Sequence, residues 1–290
     1  MRRAGALVRS MRPKQWTKNL IVFAPLIFSG RLGEPEALLA AVLAFVVFCL
    51  TAGAVYLVND VRDIEQDRLH AKKRSRPLAA GALSPAVAIG AAVALLAAAL
   101  AMAVTLSVTF AVITLGYLAL QSAYTFYLKH AVVLDVMSIS AGFVLRAAAG
   151  AAAVEVSASP WLYMCAALLA LFLGFGKRRH ELLLLDSKAG EHRSVLADYT
   201  PQLLDVLLST VTAATIIAYS LYTFFSPTGE QHDYLMFTIP FVVYGMFRYV
   251  FLMYKRNLGG SPEEILLTDV PLIITILGWL VASAAVITLA

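Results

Sequence analysis

The chain has 290 residues, of which 60% are hydrophobic and only 14% are charged, and its formal net charge is +5. Its mean hydropathy is +0.79. Because a water-soluble protein carries about 25% charged residues, this composition excludes an ordinary soluble domain. It predicts a protein whose partner is a lipid bilayer, and we expect no nucleic-acid partner.

Nine apolar runs are candidates for membrane-spanning helices, since a span needs roughly 20 mostly apolar residues. No alternation of apolar and polar residues lasts long enough to indicate a β-barrel. The first run is short and contains Pro25. In chain order the predicted spans are residues 17–30, 36–58, 85–105, 108–128, 132–153, 160–176, 203–225, 234–254 and 270–290. The sequence thus predicts a single all-α membrane domain over residues 1–290, a bundle of nine transmembrane helices.

The positive charges are distributed unevenly over the predicted loops. Nine spans place 20 of the 23 Lys and Arg residues on one side of the membrane, together with the N-terminal segment 1–16 and the loops 60–84 and 177–202. Arg31 lies on the opposite side, and two arginines lie within spans. By the positive-inside rule the charged side is cytoplasmic. We therefore expect a multi-pass protein of the plasma membrane, and the sequence leaves a homo-oligomer open.

The loop after the second predicted span is acidic. Asn59, Asp60, Asp63 and Asp67 share one side if the helix of that span continues, because positions i, i+3 and i+7 lie on one stripe. Three stacked carboxylates repel one another unless a cation joins them, and Mg²⁺ suits such a site because it takes one or two carboxylates and substrate phosphates. The alternative is a solvated helix end that neighbouring arginines neutralise. Spacing alone leaves the two comparable, and the position next to the membrane favours the metal.

Two basic segments lie on the same side as this acidic loop. Residues 72–78 form a basic turn ending in Pro-Leu, which is suited to holding phosphate charge. Residues 177–181 read Lys-Arg-Arg-His-Glu. They form either a membrane-anchoring surface with an i,i+4 ion pair between Lys177 and Glu181, or a cationic cradle for a second anionic group. We expect His180 to be a polar residue at a helix end, since no partner His or Cys stands at coordination spacing.

Three ionisable residues fall within predicted spans: Asp135, Arg146 and Arg248. A charge inside a membrane is costly, so each is a functional-site hypothesis. The first two are three helical turns apart, about 16 Å, which is too far for direct pairing. Arg248 lies near the cytoplasmic end of its span, from which it could reach a cavity shared with the other two residues. Asp269 precedes Pro271 and is predicted to be the N-cap of the last helix.

These motifs resemble those of a known family. An N-D-x-x-D-x-x-x-D pattern that closes the second of nine spans is similar to that of the UbiA superfamily of intramembrane polyprenyl transferases, and the resemblance extends over essentially the whole chain. Residues 12–26, 135–150 and 177–181 further resemble the decaprenyl-phosphate phosphoribosyltransferase branch of actinobacteria. The resemblance implies a helical bundle around a central cavity that opens to the cytoplasmic face.

Loop 177–202 departs from the pattern of superfamily members that use allylic diphosphates. Those members typically carry a second aspartate-rich motif here, whereas this chain carries a cluster of cations. The donor 5-phosphoribosyl 1-diphosphate has a 5-phosphate besides its diphosphate, and the extra anion needs cationic partners. The charge argument thus agrees with the donor that the resemblance implies. The resemblance further implies transfer of 5-phosphoribose to decaprenyl phosphate, with Mg²⁺ as cofactor, in the synthesis of arabinan precursors for the cell wall.

The resemblance implies a role for each polar group. The expected catalytic residues are Asp60, Asp63 and Asp67, which with Asn59 would bind Mg²⁺. The residues expected to bind substrate phosphates are Lys18, Lys73, Arg74, Arg76, Lys177, Arg178, Arg179, Glu181 and Arg193. Those expected to meet the acceptor head group or to line the cavity are Asp135, Tyr127, Arg146 and Arg248.

Two other functions remain open at this point. A UbiA-type prenyltransferase would transfer an allylic polyprenyl group and would not use phosphoribosyl diphosphate. A secondary transporter is compatible with nine spans and with charges inside the membrane. Against a transporter, the charged residues concentrate at one membrane face and form no relay at the midplane.

Overall fold

The computed structural model describes residues 3–69, 73–185, 194–256 and 258–289, and over these ranges it is helical, without a β-strand. Within them, eight helices are long and apolar enough to cross a membrane. We number their α-helices α1 to α8: Pro35–Arg62, Pro85–Leu106, Val108–Phe126, Leu134–Ala153, Pro160–Leu185, Pro201–Phe225, Ile239–Lys255 and Val270–Leu289. The seventh span is Asp233–Lys255, which α7 forms together with the 3₁₀-helix before it. They match eight of the nine predicted spans, which confirms the all-α membrane bundle.

Helix starts follow the local sequence. Proline occupies the first position of α1, α2, α5 and α6, where its missing N–H breaks no helical hydrogen bond. The hydroxyl groups of Ser84, Ser107 and Thr200 cap α2, α3 and α6 by accepting from the backbone N–H three residues later. Shorter helices complete the chain: Arg3–Ser10, Pro13–Phe23, Ala24–Phe28, Arg31–Gly33, Ile64–Leu69, Lys73–Ser75, Leu128–His130, Ser194–Asp198, Pro227–Gln231, Asp233–Thr238 and Pro262–Thr268.

The bundle has two ends that the rest of the description uses. At one end, α1 and α3 stop and α4 begins, and Thr125 Oγ1 donates to Asn59 Oδ1 over 3.3 Å. We name this the Asp60 end. At the other, the Arg31 end, the Arg31 guanidinium donates to the backbone oxygen of Val154, just beyond α4.

The predicted first span, residues 17–30, is not one of the eight long helices. The chain there forms a 3₁₀-helix of 11 residues, Pro13–Phe23, followed by a short turn of α-helix. A 3₁₀-helix rises about 2.0 Å per residue instead of 1.5 Å, so it extends about 22 Å. The segment still runs the length of the bundle, because Arg12 pairs with Asp60 at one end and Arg31 lies at the other. A ninth α-helical span is therefore not confirmed, and a stretched helix takes its place.

Residues 13–28, called the N-terminal segment from here on, are held between α1 and α4. A Cβ atom on Gly150 of α4 would lie 2.1 Å from the carbonyl oxygen of Val22, so the two backbones touch there. Small residues permit such close approach between membrane helices. Asn19 Oδ1 accepts from Arg146 Nε over 2.8 Å, and Asn19 Nδ2 contacts Cys49 Sγ of α1 at 3.3 Å. One backbone contact and the two polar contacts of Asn19 thus place the segment.

Two hydrophobic clusters meet at α4. The first joins α1 to α4 around Phe48 and Phe110, and the second joins α4 to α8 around Phe172 and Tyr249. Because α4 contributes to both clusters, it is the central helix of the bundle. Its first turn carries Asp135, so that carboxylate is buried between the two halves.

The contact at Gly150 yields a prediction on stability. Gly150→Ala would push Val22 and the N-terminal segment away from α4, and overpacking of this kind costs about 1–3 kcal/mol. The control is Gly116→Ala in α3, where a Cβ would meet no atom within 4 Å. We expect a clearly lower midpoint of thermal unfolding in detergent for Gly150→Ala and no loss for Gly116→Ala. Equal midpoints for the two variants would contradict the close packing.

Candidate active site

The aspartate-rich segment lies where α1 stops. The helix breaks at Asp63 and resumes in the short helix Ile64–Leu69. Backbone hydrogen bonds from Asp63 N to Asn59 O and from Asp67 N to Asp63 O, 3.0 and 2.8 Å long, continue the helical pattern across the break. Asp60 and Asp67 are buried, with 2% and 3% of their surface exposed. The predicted stripe of aspartates therefore turns inward.

Asp60 and Asp67 converge on one guanidinium group. Arg76 Nη1 lies 2.6 Å from Asp67 Oδ2 and 3.3 Å from Asp60 Oδ1. Arg12 places a second guanidinium on the same Oδ1 of Asp60. The sequence left open a solvated helix end neutralised by arginines. The neutralising arginines are present, but the two carboxylates are buried and not solvated.

Arg12 was not among the predicted site residues. Its backbone is left-handed, with φ 54°, and its guanidinium packs over the Tyr56 ring, 4.8 Å from the centroid. Such a backbone costs about 1–3 kcal/mol in a residue other than glycine, so the contacts at Asp60 and Tyr56 hold it in place. The sequence signal for Arg12 was its position at the start of residues 12–26, the stretch that resembles the phosphoribosyltransferase branch.

The aspartates suit a magnesium ion. The described ranges contain no group of three or more His, Cys, Asp or Glu residues arranged for a metal ion. Mg²⁺, however, takes only one or two carboxylates and completes its shell with water and phosphate oxygens. Asp60 and Asp67 supply two hard oxygen donors that already converge on a cation, and Asp63 and Asn59 border them, both half-buried. The residues present therefore fit such an ion.

The basic turn after the aspartates lies within electrostatic reach of the end of α5. Lys73 is an exposed residue, yet desolvation by its surroundings lowers its pKa, and the charge of Arg76 acts in the same direction. The carboxylates of Asp67 and Glu181, among others, act against this by raising the pKa of Lys73. Because Glu181 belongs to α5, the charge at the end of that helix acts on the basic turn. Arg74 is exposed in the same turn.

Arg178, expected to bind phosphate, is buried, with 1% of its surface exposed. Its Nε lies 2.6 Å from Asp135 Oδ2 and its Nη1 lies 2.6 Å from Glu181 Oε2. The physical reason is Asp135, which is fully buried in the first turn of α4 and needs a charged partner. Glu181 thus pairs with Arg178, whereas one sequence interpretation paired it with Lys177. Arg178 ties α4 to α5.

Tyr199 completes this network and was missed by the sequence analysis. Its hydroxyl donates to Asp135 Oδ1 over 2.9 Å and accepts from Val133 N over 2.8 Å. Burial raises the pKa of Tyr199 to about 12, and the negative charge of Asp135 acts in the same direction. The phenol therefore remains a donor at physiological pH. No local motif signals the contact, because 64 residues separate the two partners.

Arg179 also has a carboxylate partner. Its Nε lies 2.6 Å from Asp205 Oδ1, and its guanidinium stacks on Tyr254, 3.9 Å from the ring centroid. The Tyr254 hydroxyl donates to the same carboxylate oxygen over 2.6 Å. Lys177 is half-buried. Arg193, also expected to bind phosphate, lies outside the described residues.

Arg146 lies inside the bundle and binds neutral groups. Besides Asn19, it donates through Nη1 to Gly142 O over 2.9 Å and through Nη2 to the Tyr117 hydroxyl over 2.6 Å. It is 6% exposed. As expected from their separation, Arg146 and Asp135 do not pair with each other. The geometry gives Arg146 a role in holding the N-terminal segment.

The remaining predicted site residues are Arg248 and Tyr127, expected to meet the acceptor, and Lys18, expected to bind phosphate. Arg248 forms a two-pronged ion pair with Asp269, at 3.1 and 2.8 Å, and this pair holds the pKa of Asp269 below its usual value. Asp269 Oδ1 also accepts from Leu272 N over 3.0 Å, which confirms its predicted N-cap role in α8. Tyr127 is 76% exposed, and Lys18 is half-buried, with Nζ 3.4 Å from an oxygen of the neighbouring Gln15.

A large apolar cavity of about 350 Å³ lies between the N-terminal segment and helices α5 to α8. It reaches from Leu266, near the Asp60 end, to Phe28 near the Arg31 end, and Phe172, Tyr249 and Trp279 line it. Its lining is almost entirely apolar, so it suits a hydrocarbon chain.

The sequence model of the UbiA prenyltransferase family matches residues 20–264. The chain belongs to the UbiA prenyltransferase family. It is similar to proteins named decaprenyl-phosphate phosphoribosyltransferase from Corynebacterium glutamicum, Mycolicibacterium smegmatis and Mycobacterium tuberculosis, each 37% identical. These alignments cover 95%, 95% and 98% of this chain and 85%, 90% and 94% of the relatives.

The fold is that of UbiA proteins of known structure. A UbiA homolog from Archaeoglobus fulgidus bound to GPP and Mg²⁺ superposes with a TM-score of 0.76, at 23% identity, over 98% of this chain and 99% of the homolog. The same homolog bound to DMAPP and Mg²⁺ gives a TM-score of 0.75 over the same shares of the two chains, also at 23% identity. At this identity the likeness concerns the fold.

Asp135 and Asp205, the carboxylate partners of Arg178 and Arg179 in α5, differ in burial, and this difference yields a prediction. Asp135→Asn would leave the buried Arg178 with one carboxylate fewer, and breaking a buried pair costs about 3–5 kcal/mol. Asp205→Asn is the matched control, because Asp205 is 39% exposed and a surface pair is worth about 0–1 kcal/mol. Unfolding of the two variants in detergent, followed by circular dichroism, measures both losses. Similar losses would show that Asp135 is not a structural partner of Arg178.

Proposed function

We propose that this protein transfers 5-phosphoribose from 5-phosphoribosyl 1-diphosphate to decaprenyl phosphate and releases diphosphate. The observation that carries the proposal is the 37% identity, over at least 95% of the chain, to three proteins named for this activity. The aspartates and cations at the Asp60 end support it, because they suit a donor with several anionic groups. Its product would serve the synthesis of arabinan for the cell wall.

In the proposed reaction a phosphate oxygen of the lipid forms a bond to C1 of the ribose. The bond from C1 to the diphosphate oxygen breaks, and its electron pair leaves with the diphosphate. The acceptor is a phosphate monoester with a second pKa near 6, so it is mostly dianionic at neutral pH. It therefore needs no strong general base from the protein. The chain has to orient the two substrates and stabilise charge on the leaving group.

Asp60 and Asp67, bordered by Asp63 and Asn59, would hold Mg²⁺. Bound there, the ion would supply Lewis-acid stabilisation of the negative charge on the departing diphosphate. Binding of Mg²⁺ with a prenyl diphosphate by a protein of the same fold supports this choice of ion.

Four groups of the proposed site would bind phosphate through exposed or half-buried cations. They are Lys73, Arg74, Lys177 and Lys18. Arg193, which lies outside the described residues, is proposed as a fifth on the sequence alone. Arg178 and Arg179 are engaged by carboxylates, so their proposed role is to position Glu181 and the end of α5. The proposed active site faces the cytoplasm, because the positive-inside rule places these loops on that side of the membrane.

The lipid tail would lie in the apolar cavity between the N-terminal segment and α5 to α8. This cavity reaches Leu266 near the Asp60 end, so a tail within it would keep its phosphate close to the cations. The tail would bury apolar surface without meeting a buried charge.

A second candidate is transfer of a prenyl group from an allylic diphosphate. The family description and the GPP complex of the Archaeoglobus homolog favour it. Detergent-solubilised protein with Mg²⁺ should form a labelled lipid from labelled phosphoribosyl diphosphate and decaprenyl phosphate, and no prenylated product from geranyl diphosphate. Prenyl transfer without use of phosphoribosyl diphosphate, by folded protein, would reverse the assignment.

Substitution of the aspartates tests the catalytic assignment. Asp60→Asn and Asp67→Asn would remove carboxylates from the proposed ion, and we expect each to lower the rate of product formation about 100-fold or more. Glu65→Gln is the matched control, since Glu65 is 82% exposed and lies in the same loop. It should retain near-normal activity. If both asparagine variants stay active, the aspartates do not hold the ion.

A further inference from the structure

Arg76 contacts both buried aspartates through one nitrogen. Its Nη1 lies 2.6 Å from Asp67 Oδ2 and 3.3 Å from Asp60 Oδ1, and Arg12 binds the same oxygen of Asp60. The two aspartates and two arginines together carry no net charge. The carboxylate pair is therefore already balanced by groups of the chain itself.

A divalent cation on the same oxygens would compete with Arg76. Like charges a few ångströms apart repel strongly where water is excluded, and Asp60 and Asp67 are almost fully buried. A diphosphate group changes this situation, because its oxygens offer a guanidinium a new two-pronged partner. Arg76 is 28% exposed in the turn after Lys73–Ser75, so its side chain can reach such a group from the loop.

Arg12 differs from Arg76 in how its surroundings hold it. It packs over Tyr56 and follows a left-handed backbone, which ties it to α1. Of the two guanidinium groups on Asp60, Arg76 also has the longer contact, at 3.3 Å. Arg76 is therefore the residue whose contact with Asp60 is more readily exchanged.

We propose that Arg76 is a resident counter-ion that couples metal binding to binding of the diphosphate donor. It holds Asp60 and Asp67 before the donor arrives and transfers to the diphosphate when the donor binds. This inference rests on the proposed function, which places Mg²⁺ on these two aspartates. Because Arg76 occupies the carboxylate oxygens, the metal alone binds weakly, and the diphosphate tightens metal binding by drawing Arg76 away. Coupling between two ligands is reciprocal, so the metal tightens binding of the diphosphate by the same factor.

Binding of Mn²⁺, a paramagnetic substitute for Mg²⁺, tests this without measuring activity. The free ion is titrated by electron paramagnetic resonance into the full-length protein in detergent, with and without inorganic diphosphate. The wild type should bind Mn²⁺ more tightly when diphosphate is added. This comparison is corrected for the Mn²⁺–diphosphate complex that forms in solution. In Arg76→Gln, Mn²⁺ alone should bind about tenfold more tightly than in the wild type, and the effect of diphosphate should shrink.

Arg68→Gln is the matched control. It removes the same charge from the same loop, but Arg68 is 52% exposed and pairs with Glu65. Its Mn²⁺ affinity should equal that of the wild type. Arg76→Lys, which keeps the charge and loses the two-pronged geometry, should bind Mn²⁺ alone as weakly as the wild type and gain less from diphosphate.

Each other outcome overturns the inference in a recognisable way. Unchanged or weaker Mn²⁺ binding in folded Arg76→Gln, with binding lost in Asp67→Asn, rejects the counter-ion and leaves the metal site standing. Equal tightening in Arg76→Gln and Arg68→Gln reduces the effect to the overall charge of the loop. Mn²⁺ binding that Asp67→Asn does not alter rejects the metal site itself, and the inference with it.

Discussion

Charged groups buried in a membrane bundle must find their partners within the protein, because hydrocarbon offers none. Asp60 forms ion pairs with Arg12 and Arg76, and Asp135 forms an ion pair with Arg178. In each case the partners come from different helices or loops. These ion pairs therefore decide which elements meet at the Asp60 end, and the shape of the candidate site follows from them.

The same constraint changes how the cations of loop 177–202 are understood. As a sequence, Lys177, Arg178 and Arg179 form a compact cationic patch that could receive an anionic donor. In the structure Arg178 balances a buried aspartate and Arg179 balances Asp205, so most of that charge serves the bundle itself. The contrast between an acidic and a cationic loop is then weaker evidence for the donor. The similarity to named phosphoribosyltransferases carries the larger part of the assignment.

The N-terminal segment links the fold to the site. Gly150 and Arg146 of α4 hold the segment through Val22 and Asn19. Arg12 precedes the segment and reaches Asp60. The stretched 3₁₀-helix of the segment covers a given length with fewer residues than an α-helix would need. Packing at the centre of the membrane domain therefore determines the charge around the aspartates.

The sequence by itself determined the class of fold, the positions of eight helices and the segment that carries the aspartates. It could do so because hydrophobic length and proline capping are local properties, and because Asp60 and Asp67 lie seven positions, or about two helical turns, apart on one stripe. The N-cap at Asp269 was predictable for the same reason. The family motif extended this to a candidate function.

Only the tertiary structure decided which charges face each other. Arg12 is 48 residues from Asp60, and Tyr199 is 64 residues from Asp135, so no pattern of spacing could connect them. The close packing of the N-terminal segment was likewise hidden, since its partner Gly150 lies far along the chain. Burial and ion pairing arise from the packing of distant helices, and they determined whether a residue of the aspartate-rich segment or of loop 177–202 supports the bundle or is available to a substrate.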